Sequence, residues 1–108
     1  MDKNTLVQIA AGAWVVPSSV GSVTTKTLTQ HGQHTRITVV HSFAGGELYR
    51  HETTLPEPQH ADKEGEILLA IAAASHDNIV NILRGHPLRN PYAEHGLDTP
   101  QSFQELGR

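Results

Sequence analysis

Histidine is the residue type from which this chain could most readily build chemistry. There are eight, at 31, 34, 41, 51, 60, 76, 86 and 95. His41 and His51 fall in adjacent strand-like runs, and one register sets them opposite each other on the face that carries Ile37 and Phe43. Two facing imidazoles can share a divalent metal such as zinc, with Glu47 or Glu52 close by. Glu47 has the parity of His51, whereas Glu52 points to the other face. A complete site takes three or four ligands, and no third one stands out. The competing reading is a pair of half-buried imidazoles bonded to the backbone or to each other. The expectation is therefore no cofactor, with a divalent metal at His41 and His51 as the alternative.

The same histidines make the chain responsive to acid. Protonating all eight would move the formal charge from −3 to +5. An unperturbed imidazole titrates near pH 6.5, so the change falls at about pH 7.5 to 5.5. A pH-sensing role belongs with the metal alternative.

Catalytic patterns are sparse. Ser75-His76-Asp77 places triad residue types in a row. Consecutive helical residues point about 100° apart, so these three cannot relay a proton among themselves. The chain has no G-x-S-x-G, H-E-x-x-H, Walker loop or G-x-G-x-x-G. Cysteine is absent, which removes disulfides, thiolate metal sites and a thiol nucleophile, and fits a cytoplasmic setting. The expectation is a protein that is not an enzyme.

The element that must position any site is the segment from Ala61 to Arg84. Ile67, Leu68, Ile71, Ser75, Ile79, Ile82 and Leu83 recur at helical spacing. Asp62, Glu64 and Glu66 suit the positive end of the helix dipole. Gly85 suits a left-handed cap, and Pro87 prevents continuation. Ser75 and Asp77 offer a second cap, with a kink or break near His76. Leu69, Ala73 and Val80 form another apolar stripe beside His76. That stripe takes either another part of the chain or a partner.

Upstream, residues 34–43 and 47–55 alternate apolar and polar, which predicts strands. His31-Gly32 and Ala44-Gly45-Gly46 predict the turns between them. Residues 20–30, rich in threonine and valine, suit an edge strand. Residues 5–16 fit either strand or helix, with strand favoured by their β-branched content. The resulting fold is α+β, an antiparallel three- or four-stranded meander packed against one long C-terminal helix. Residues 1–85 form a single domain, and 86–108 an extended or partly disordered tail with anchors that include Tyr92 and Phe103.

Charge argues against nucleic acid. If residues 5–14 were helical, the order α-β-β-β-α would resemble double-stranded-RNA-binding domains. Those carry a basic cluster at the start of the last helix; here the sequence is Asp62-Lys63-Glu64-Gly65-Glu66. No apolar run approaches the roughly 20 residues of a membrane span. These features lead to a cytoplasmic protein-binding module, acting as an adaptor or as an inhibitor that occludes a surface of a larger protein. Aromatics are only 5% of the residues, so the core is modest and a homodimer is expected. The expected partner-binding residues are Leu69, Ala73, His76, Val80, Tyr92 and Phe103.

Overall fold

The computed structural model describes residues 5–108. Three long strands, β3 (Val20–Gln30), β4 (Gln33–Ser42) and β5 (Glu47–Pro56), form an antiparallel sheet with β4 in the middle. A small hairpin precedes them: β1 (Val7–Ala10) pairs with β2 (Ala13–Val15). One long helix, α1 (Lys63–Arg84), crosses one face of the sheet. The fold is α+β. With residues 7–10 and 13–15 in strands, the α-β-β-β-α order is not met.

Turn chemistry sets the sheet. His31 (φ 51°) and Gly32 (φ 76°) both lie in the left-handed region. That pair makes the two-residue turn whose twist matches its strands, and Gln30 faces Gln33 across it. At the other end β3 bulges between Val20 and Ser22. A Cβ on Gly21 would lie 2.8 Å from the Ser42 carbonyl oxygen and from Phe43 Cα, so only glycine permits this approach.

The helix is capped as its sequence implies. The Asp62 carboxylate accepts from the Gly65 N–H at 2.7 Å. Gly85 takes φ 72°, and the next amide, His86 N–H, reaches the Asn81 carbonyl at 2.8 Å. The helix runs unbroken through His76, because Ser75 donates its hydroxyl proton to Ala72 O at 2.7 Å instead of starting a new helix. By length and composition α1 could cross a membrane. Here it lies on a sheet, and His76, Asp77, Asn78 and Asn81 interrupt its apolar surface.

Val7, Ile9, Val15, Val40 and Ile79 form the core, joined by Val20, Val23, Tyr49, Ile82 and Leu83. The hairpin thus wedges under the C-terminal half of α1. Residues 86–108 contain two short helices, α2 (Pro91–Glu94) and α3 (Gln101–Gln104). Buried Asn78 ties their start to α1: its Nδ2 donates to Arg89 O, and its Oδ1 accepts from Arg89 N–H, both at 2.8 Å. The segment then returns to β1, where Gly107 N–H donates to Gln8 O (2.8 Å) and Gln8 N–H to Arg108 O (3.2 Å).

Candidate functional site

A polar cluster sits where α1 meets the sheet. Its centre is His76, which is only 2% exposed. Thr38 on β4 lies 2.7 Å from its Nδ1, and Thr53 on β5 lies 2.8 Å from its Nε2. Strand register explains the pair. Thr38 faces His51 and Arg36 faces Thr53, so these four share the helix side of the sheet. Thr38 also meets Thr25 on β3 at 3.3 Å. Neutral imidazole offers one donor and one acceptor, and two hydroxyls satisfy both. Burial, then the neighbouring His51 and Arg36, hold the His76 pKa down at about 4, against a smaller opposing pull from Asp77.

His51 stands beside it, with ring centroids 4.6 Å apart. Its partners fix its tautomer. Ser75 spends its own proton on Ala72 O, so it can only accept from His51 Nε2–H, at 3.2 Å. His51 Nδ1 must then accept from the Tyr49 hydroxyl, also at 3.2 Å. Burial lowers the His51 pKa and raises that of Tyr49. Ser75 and His51 are thus within hydrogen-bond reach, but the proton runs from histidine to serine. Activation of a serine nucleophile needs the reverse.

The sequence expectation for His41 is corrected by register. A bulge between Val40 and His41 sets His41 against Glu47, while His51 faces Thr38. His41 reaches back to Thr24 at 3.4 Å. The two imidazoles therefore do not oppose each other. Among the described residues, no three His, Asp or Glu side chains converge as metal ligands.

The expected partner stripe on α1 is also relocated. His76 is spent on the sheet and is not available to a second protein. Leu69 and Ala73 line a recess with His34, Arg36, Thr53 and Leu55, so they too face the sheet. Val80 is half-buried at the same helical spacing. Of the other stripe, Ile79, Ile82 and Leu83 pack in the core with Val40 and the hairpin, as their spacing implied, and its middle takes the tail. Ile71 and Ser75 line a cavity of about 160 Å³ whose far wall is Tyr92, Phe103 and Leu106. Tyr92 and Phe103 meet edge to face at 6.0 Å. The two aromatics expected to grip another chain lie against their own helix. Comparison with protein-family models, curated proteins and solved structures finds no match to this chain.

With His76 committed to the sheet and Tyr92 and Phe103 lying on α1, β3 presents an open main-chain edge among the described residues. From Thr24 to Gln30 every residue of it is exposed, and it has a neighbour on one side only. Sequence reading marked it as an edge but assigned it no site residue. The useful signal was what the strand lacks: it has no proline, no acidic residue and one charge, Lys26. The opposite edge, β5, ends in Pro56 and carries an ion-pair cluster, Arg50 with Glu47 at 2.8 Å and Glu52 at 3.4 Å. Charges and prolines are what guard a strand edge against pairing.

Proposed function

We propose that this is a small, non-enzymatic, cytoplasmic protein-binding module that engages another chain by strand addition along β3. The observation that carries the reading is the long unguarded edge of β3 beside a guarded β5. In a two-residue hairpin the pair flanking the turn exchanges both main-chain bonds, and bonded pairs then alternate along the ladder. Counting from Gln30, the residues Lys26 and Leu28 turn their N–H and C=O groups toward β4. Val23, Thr25, Thr27 and Thr29 turn theirs outward. These open groups are what an added strand pairs with, and side chains on alternate positions supply selectivity. An adaptor or an inhibitor would use such an edge in the same way.

The test is selection of displayed random peptides against the chain and against Thr27→Pro. The proline removes one outward N–H and no bond of the existing ladder, so the fold survives. Peptides that bind the parent and fail on Thr27→Pro support strand addition. Failure to enrich any peptide, or equal binding to both, overturns it.

A further inference from the structure

We infer that the strand added to β3 is β3 of a second copy, in antiparallel register about a two-fold axis at Thr25. The inference rests on the reading that β3 is a binding edge and names its occupant.

The strand itself sets the register. Thr25 is the midpoint of Val20–Gln30, so an axis there opposes every residue of β3 to another. Thr25 is also one of the residues whose N–H and C=O face outward. Thr25 then exchanges both main-chain bonds with Thr25 of the second copy. Val23 faces Thr27 and Ser22 faces Leu28. Lys26 faces Thr24, so the strand's one charge never meets its own copy. An axis one residue further on would set Lys26 directly against Lys26, which like-charge repulsion disfavours.

Geometry on the helix side agrees. An antiparallel, isologous edge pairing needs the axis perpendicular to the sheet, so both helices lie on one face of a six-stranded sheet. Each α1 contacts β4 and β5. With strands spaced ~4.8 Å apart, the two helices are held well apart across a floor made of the two β3 strands. The residues on that floor, Thr25, Thr27 and Thr29, are small, so the helices do not collide through them.

The chain has no cysteine, so single introduced thiols report the register. Directly opposed residues have Cα atoms about 5.5 Å apart, within disulfide reach. Thr25→Cys is therefore expected to cross-link rapidly to itself under mild oxidation. In the same register Ser22 and its copy are offset along the strands by roughly 20 Å, so Ser22→Cys stays uncross-linked. Light scattering should give twice the 11.8 kDa chain mass at high concentration. Thr27→Pro should return it to one chain mass. So should Thr25→Asp, which opposes a carboxylate to itself and leaves the backbone unrestricted.

A single chain mass at every concentration overturns the inference, and the peptide selection then decides separately whether β3 is a binding edge. A double mass that survives both Thr27→Pro and Thr25→Asp also overturns it, since the dimer then forms elsewhere. Cross-linking of Ser22→Cys but not of Thr25→Cys overturns the register.

Discussion

Thr38 on the central strand and His76 on the helix lie 2.7 Å apart, hydroxyl to Nδ1, and both side chains are buried. This contact joins the two layers of the fold at a point where an apolar pair would ordinarily sit. It makes helix docking dependent on an uncharged imidazole.

Acid should therefore loosen the fold. The His76 pKa is near 6.5 in the unfolded chain and about 4 in the folded one. Between those values the unfolded state binds the extra proton, so stability rises with pH. It is lost as pH falls from about 6.5 toward 4, by on the order of 1–3 kcal/mol. His51, lowered by burial, acts in the same direction. Arg36 disfavours the charge and Asp77 partly favours it. Denaturant midpoints measured between pH 7.5 and 4.5 check this; a flat profile would contradict it.

Replacing the imidazole separates its charge from its bonds. In His76→Phe the ring volume is nearly kept, but Thr53 loses its partner and Thr38 keeps only Thr25. The cost expected is about 1–3 kcal/mol at neutral pH, the penalty for stranding buried hydroxyls. The acid-side loss should shrink at the same time, since the phenyl ring takes no proton. Urea titrations at pH 7.5 and 5 give both quantities.

Asn78 should act locally. Its side chain satisfies both main-chain groups of Arg89. Asn78→Ala is expected to cost about 1–3 kcal/mol. Amide exchange should quicken at Arg89 and through residues 91–104, while β4 and β5 stay protected. Hydrogen exchange read by mass spectrometry distinguishes this from global loosening.

Gly21→Ala should disturb the sheet end. The added methyl meets main-chain atoms of Ser42 and Phe43 at 2.8–2.9 Å, and backbone cannot rotate aside. A loss of about 1–3 kcal/mol is expected, as for other overpacked sites. Thermal melts check it, with Gly46→Ala as a milder comparison, since its Cβ would meet only the Ser42 hydroxyl at 3.5 Å.

Much of this fold was legible in the sequence. Alternation gave β4 and β5, His31-Gly32 gave the hairpin, and Asp62 and Gly85 marked the ends of α1. Two features were hidden for different reasons. The bulge at Val40/His41 leaves no trace in apolar periodicity, yet it decides what His41 faces. It also precedes Phe43, which was read as sharing a face with Ile37 and is 78% exposed, whereas Ile37 is buried. Ile79, Ile82 and Leu83 entered the core as their spacing implied, but hydrophobicity could not say that Leu69, Ala73 and His76 face the sheet as well. What decides is polar matching: Thr38 and Thr53 fall on the helix side of their strands, and buried hydroxyls need a partner. His76 is the α1 side chain that serves both. The tail's anchors were visible as spaced apolar residues, but their target depended on which stripe the sheet left free.

The row Thr25–Thr38–His76–Thr53 has one further consequence. Each link is a hydroxyl or an imidazole nitrogen that can give or take a proton, so the row can point in either direction without moving a heavy atom. Pointing inward, Thr25 donates to Thr38, which donates to Nδ1, and Nε2–H donates to Thr53. Pointing outward, every bond reverses and the imidazole carries its hydrogen on Nδ1. Thr25 lies at the exposed end. An acceptor arriving there selects one tautomer of His76, and a donor selects the other. The buried ring thus carries a record, readable in its nitrogen chemical shifts, of what touches the rim of the sheet.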